Sequence, residues 1–165
     1  GATVRLSLGG KTDMPSIGRQ GEPIEVTGIV GALTDGVFEI TAELGRGTRA
    51  AMGPSARLDL GTVQVVVISR QTEPFDLGHL RSLGIEPTEK RYLILKSRIH
   101  FRAGFGPITR RELPCNGVGV TSSDNSLFDF QHVRRPIFPL DPTTGPTPEY
   151  PPRTIGDRAD EGAAR

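Results

Sequence analysis

Three groups of residues have types and spacings that could do chemistry. The first is Leu8-Gly9-Gly10-Lys11-Thr12-Asp13, directly after an alternating segment. Paired glycines let backbone amides approach an anion closely, and Lys11 adds positive charge. A phosphate-binding P-loop needs a glycine five residues before its second one; that position is Arg5, and Met14-Pro15 stand where its helix should open. The stretch therefore reads as a strand-to-loop turn or as a substrate-facing loop. The second group is Lys96-Ser97-Arg98-Ile99-His100-Phe101-Arg102, after a dense apolar run. Ligands gather outside the carboxyl ends of strands in open α/β sheets, so Lys96, Ser97 and His100 are candidates for binding. Ser97 fits equally well as a helix N-cap, with Lys96 and Arg98 as solvated flanks. The third group is the set of metal-ligating types: His79, His100 and His132, separated by 21 and 32 residues, with the single Cys115. That spacing contains no HExxH and no paired cysteines, so no zinc site is expected within the chain. Cys115 has no neighbour that marks a nucleophile and is expected to be a buried small apolar residue. His79 is expected to be partly exposed on a short helix.

Composition narrows the classes. The chain has 165 residues, with 20 Lys+Arg against 19 Asp+Glu, a net charge of +1. Neutralising nucleic-acid phosphates or coating an anionic membrane needs a concentrated positive field, so neither is expected. Arg110-Arg111 and Arg134-Arg135, with Phe101 and Phe105, read as surface pairs and packed rings rather than an RNA site. No stretch approaches the roughly 20 apolar residues that span a bilayer. No basic-then-apolar leader is present either, and with one cysteine a reducing cytoplasm is the expected location. The chain starts without Met and enters a strand-like pattern within three residues, as a piece cut from a longer chain would.

The elements that must position these residues are mostly strands. Thr3 to Leu8 alternates apolar and polar residues, the mark of a half-buried strand. Ile24–Leu33 and Val37–Leu44 flank Thr34-Asp35-Gly36, which predicts a hairpin. Ala56 to Leu60 adds a short strand. Thr62–Ser69 is a dense β-branched run of the kind buried on both faces. An amphipathic helical stretch, Phe75–Leu83, follows it and stops at Gly84; a second dense run, Arg91–Lys96, comes next. Strand, helix, strand over this length predicts a βαβ crossover with parallel strands. A further helical turn is expected near Ile99–Phe105. The fold class is α+β: a strand-rich mixed sheet with a βαβ crossover and few short helices. Seven of the 14 prolines fall after Arg135, so residues 142–165 are expected to form an extended, then disordered, tail after a domain spanning 1–141.

Taken in order, several words form one pattern. They are Gly9-Gly10-Lys11-Thr12-Asp13, Gly21-Glu22-Pro23-Ile24-Glu25-Val26, Asp35-Gly36 and the segment Val65 to Asp76. They continue with Leu83-Gly84-Ile85-Glu86-Pro87, Lys96-Ser97, His100-Phe101-Arg102, Arg135-Pro136 and Pro139-Leu140-Asp141. From about residue 3 to Asp141 the chain resembles the C-terminal domain of the MlrC-like metallopeptidases, the microcystin-degrading enzyme and its relatives.

The resemblance implies a two-domain zinc hydrolase of peptide (amide) bonds. Its larger N-terminal domain carries the His/Asp metal ligands, so the zinc would be bound outside this chain. The present domain would close one side of the cleft and help bind a peptide-like substrate, with Gly9, Gly10, Lys11, Asp13, Lys96, Ser97 and His100 as substrate-binding positions and no catalytic or metal residue of its own. Residues after Asp141 extend past the family's closing motif. The alternative is a non-enzymatic binding or interaction domain on the same fold. A severed accessory domain should expose an apolar patch where its partner docked and could self-associate; a binding module should carry a closed pocket.

Overall fold

A computed structural model describes residues 1–14, 18–115 and 124–141. The tail expected at 142–165 lies outside the described residues. The chain divides into two compact units, residues 1–7 with 25–109, and residues 8–24 with those from 110 onward.

The first unit is strand-rich with few short helices, as an α+β fold requires. Its strands are β1 (Thr3–Leu8), β2 (Ile24–Thr34), β3 (Val37–Glu39), β4 (Arg49–Ala51), β5 (Ser55–Asp59) and β6 (Gln64–Ile68). Four of them form a sheet in the order β1-β2-β5-β6, and β3 pairs with β4 in a separate two-stranded sheet. The β2/β5 and β5/β6 pairs are antiparallel, with Leu33 opposite Ala56 and Ala56 opposite Val67. Ala2 receives the Val30 N–H while Ser7 reaches Glu25, so β1 runs against β2 as well.

Two expectations about pairing are corrected. The turn at Thr34-Asp35-Gly36 forms where predicted: Asp35 Oδ1 accepts the Val37 N–H at 3.0 Å and Thr34 Oγ1 the Gly36 N–H at 3.2 Å. It does not close a hairpin, because β2 pairs with β1 and β5 while β3 pairs with β4. The turn instead passes the chain between sheets. Met52 joins them on the far side, its N–H on Gly36 O and its carbonyl on Arg70 N–H, both at 2.9 Å.

The βαβ crossover and the mixed sheet are also absent from the described residues. Thr62–Ser69 yields β6, a half-buried antiparallel edge strand rather than a doubly buried parallel one, and Arg91–Lys96 joins no sheet. The connection explains why. Helix α1 (Gly78–Arg81) has four residues, a rise of about 6 Å, whereas a five-residue strand spans about 16 Å. Such a helix cannot return the chain along β6.

Helix α1 runs into turns that end at the predicted stop, Gly84, with the Gly84 N–H on Arg81 O at 2.9 Å and the Ile85 N–H on Leu80 O at 3.1 Å. Arg57 closes this end from the sheet, donating Nη1 to Leu83 O (3.1 Å) and Gly84 O (3.3 Å). The predicted turn near Ile99–Phe105 appears as helix α2 (Arg102–Phe105), followed by a 3-10 turn at Gly106–Ile108. The buried apolar core is Ile40, Ala42, Met52, Leu58, Leu83, Ile85 and Phe105.

At the centre of this unit is a buried carboxylate. Asp76 is 0% exposed. Its Oδ2 accepts the N–H groups of Thr41 (2.8 Å) and Ala42 (2.6 Å) and the Thr41 hydroxyl (3.1 Å); Oδ1 accepts the Gly78 N–H at 2.6 Å. Burial alone would raise this carboxyl, but the donors from Gly78, Ala42 and Thr41 together hold it below its ordinary value. Gly104 packs tightly here: a Cβ would meet Phe75 O at 2.6 Å and Asp76 Cα at 2.8 Å.

His79, expected to be partly exposed, is 4% exposed. Its ring lies edge-on to Phe38 and Phe75, with centroids 4.8 and 5.5 Å away, and Nδ1 is 2.9 Å from Asp76 O. Those two rings, one from β3 and one from the loop before α1, bury the face that helical spacing alone left open. Cys115 is likewise corrected. It is exposed, in a stretch with no regular element to cover it.

The second unit holds the bridge Met14–Arg19, a 3-10 turn at Asn125–Leu127 capped by Asp124, and a closing loop. In that loop Asp141 takes both arms of Arg135, at 2.7 and 2.6 Å, and the Ile137 N–H at 2.6 Å.

Two outcomes follow from the buried pair. Asp76→Ala strands three backbone donors and lowers unfolding stability by about 3 kcal/mol or more in urea titrations, with Asp76→Asn intermediate. Burial, despite Asp76, holds the His79 imidazole below its ordinary value. The folded state then binds that proton more weakly than the unfolded chain. The His79 contribution is complete above about pH 6.5 and is lost as pH falls through the folded value. The melting temperature is expected to drop on acidification below that point, and His79→Gln to flatten the drop.

Candidate functional site

The residues singled out by sequence separate by unit. Gly9, Gly10, Lys11 and Asp13 belong to the second, and Lys96, Ser97 and His100 to the first.

In the second unit Gly9 and Gly10 both take positive φ, 62° and 51°, and a Cβ on Gly10 would strike Glu22 O at 2.2 Å. The glycine pair is needed for loop closure against Glu22-Pro23. Asp13 is used in the same closure, with Oδ1 accepting the Gly21 N–H at 2.9 Å. Lys11 is exposed, and no described residue pairs with it. The strand-to-loop reading accounts for Gly9, Gly10 and Asp13, leaving Lys11 as the free charge.

In the first unit Ser97 and His100 meet on a residue outside the predicted set, Glu73. Ser97 Oγ donates to Glu73 Oε1 at 2.5 Å, and His100 Nδ1 lies 2.8 Å from Glu73 Oε2. Ser97 Oγ also accepts the Phe101 N–H at 3.0 Å and so braces the turn leading into α2. The N-cap position of α2 is Phe101, which carries no side-chain cap, so the expected capping role of Ser97 is not met. The scaffold is local: Glu73 sits in the loop between β6 and α1, three residues before the buried Asp76, and Ser97 and His100 open the turn that becomes α2. Lys96 is exposed and has no bond to the cluster.

The electrostatics follow from the bonds. The His100 hydrogen bond, then that of Ser97, holds the Glu73 carboxyl below its ordinary value against a small burial effect. An ionised carboxylate only accepts, so His100 Nδ1 carries the hydrogen and neutral imidazole keeps its lone pair on Nε2. That nitrogen has no partner among the described residues, and the side chain is 60% exposed.

This is not a serine-nucleophile triad, in which the hydroxyl must donate to the imidazole. Here Ser97 donates to the carboxylate and braces it. The chemistry on offer is an oriented imidazole with Nε2 open, able to accept a hydrogen bond or, once protonated, to donate one. No three His, Cys, Asp or Glu side chains gather as metal ligands among the described residues. Glu73 and His100 supply two donors, short of a metal set, and no step is derived through a metal here. Sequence reasoning missed Glu73, whose signal was a lone carboxylate before Pro74 in a loop leaving a strand.

The carboxylate's hold on the ring has a spectroscopic consequence. Long-range nitrogen–proton NMR on neutral His100 is expected to show hydrogen on Nδ1, and Glu73→Gln to shift population toward hydrogen on Nε2.

Comparison with known proteins agrees with the architecture. The profile of the family described as MlrC C-terminus matches residues 1–132. Microcystinase C of a Sphingomonas species is 31% identical over 143 residues, covering 86% of this chain and 26% of that protein. A solved protein of Mesorhizobium sp. BNC1 with a provisional metallopeptidase assignment superposes with a TM-score of 0.67 at 24% identity, covering 85% of this chain and 27% of the other. The chain thus spans about a quarter of the length of these relatives. No helix among the described residues is long and apolar enough to cross a membrane. With a profile match over residues 1–132 and 31% identity to Microcystinase C over 86% of its length, the chain belongs to the MlrC C-terminal domain family.

Proposed function

We propose that this chain is the accessory C-terminal domain of a zinc-dependent amide-bond hydrolase. The metal belongs to an N-terminal domain of the same parent, and this domain contributes substrate-binding groups. The observation that carries the reading is the oriented imidazole of His100, with Nε2 open and Nδ1 held by Glu73. The family membership and the quarter-length coverage support placing it in a larger hydrolase. In this reading zinc supplies activated water or carbonyl polarisation when bound. His100 makes a directed hydrogen bond to a polar group of a peptide-like substrate. Ser97 and Glu73 fix the ring, and Lys96 offers charge to a substrate carboxylate, as Lys11 does separately in the other unit. Gly9, Gly10 and Asp13 shape the loop that presents Lys11.

The same reading takes residues 1–141 as the domain and 142–165 as an extension outside it. A reducing cytoplasm suits the exposed, unpaired Cys115.

The test is peptide hydrolysis by the full-length parent. His100→Ala is expected to lower kcat/KM by about tenfold, as loss of one directed hydrogen bond would, with Lys96→Ala acting mainly on KM. Unchanged hydrolysis in His100→Ala with the fold intact would leave the non-enzymatic binding reading in its place.

A further inference from the structure

Arg91–Lys96 has the sequence of a strand and the side-chain alternation of one, yet it pairs with no strand among the described residues. Tyr92, Ile94 and Lys96 point outward while Leu93 and Leu95 are half-buried. Ile94 is 99% exposed and Tyr92 72%, the former the most exposed large apolar side chain described. No backbone hydrogen bond between described residues reaches Arg91 through Lys96. A β-rich segment whose N–H and C=O groups have no backbone partner among the described residues, with outward apolar side chains, is a template for strand addition.

We propose that residues 91–96 form a docking strand, completed in the parent protein by an extended segment of the region that precedes this domain. The proposal rests on the accessory-domain reading and gives it a surface. The occupant follows from length and charge. The family is described as a C-terminus, and the relatives are about four times as long as the part this chain covers, so most of the parent lies on its N-terminal side. Arg91 and Lys96 bracket the exposed Tyr92 and Ile94, and no carboxylate among the described residues pairs with either. The matching edge therefore presents apolar residues flanked by acidic ones.

The consequence is positional. Ser97 follows directly at about 3.3 Å per residue, and His100 comes three residues later. Docking along 91–96 would bring the Glu73–His100 pair within four residues of the seam.

Hydrogen–deuterium exchange on the full-length parent tests this. The 91–96 amides are expected to exchange at least 100-fold more slowly than free peptide. Ile94→Asp, at a site too exposed to disturb folding, should restore fast exchange there and leave the Met52 and Leu83 amides unchanged. Fast exchange at 91–96 in the unmodified parent overturns the proposal. So does equal protection in the 165-residue chain alone, because the strand's partner would then be this chain or a second copy. The two readings fail separately. Free exchange at 91–96 with hydrolysis still lost in His100→Ala removes the docking strand and keeps the accessory site. Protected 91–96 with full hydrolysis in His100→Ala does the reverse.

Discussion

Everything in the strand-rich unit depends on the carboxylate of Asp76 being buried and fully bonded. A buried charge is tolerated only when its acceptor capacity is filled, and here backbone amides of Thr41, Ala42 and Gly78 and one hydroxyl fill it. Those donors come from the segment after β3 and from the start of α1. The bonds therefore tie the two-stranded sheet to the helix, and Gly104 lets α2 close over the same point. With few aromatic rings and a modest apolar core, the unit relies on this polar junction to make its loops converge uniquely.

The candidate site inherits its geometry from that junction. Glu73 is three residues from Asp76 on the same loop, and α2, which packs on that loop, begins just beyond His100. Anchoring one residue of the loop and one turn of the helix fixes the distance between Glu73 and the Ser97–His100 turn. The hydrogen bonds of the cluster then need only orient an imidazole, not hold a fold together.

The limits of pattern reading show at particular residues. Periodicity reports which side chains share a face and says nothing about which backbone lies alongside. Thr3–Leu8 and Ile24–Leu33 were legible as strands, and Thr34-Asp35-Gly36 as a turn. The partners of β2 were not, and Arg91–Lys96 kept its alternation without a partner among the described residues. His79 and Cys115 exchanged their expected environments for a related reason. Burial depends on rings and elements brought in from elsewhere, Phe38 and Phe75 over the histidine and no described element over the cysteine. Glu73 could not be recognised because its significance lies in residues 24 and 27 positions away.

The sequence by itself determined the α+β class, the positions of most strands, the stop at Gly84, the helical turn before Phe105 and the family. All of these follow from local preference, short-range spacing or the order of short words along the chain. Only the tertiary structure decided that the sheet pairs described are antiparallel, that Ser97 braces a carboxylate rather than attacking a substrate, and that His100 Nε2 stands open. These outcomes depend on distances between residues far apart in sequence, and such distances are set by closure of the chain around Asp76 rather than by any local propensity.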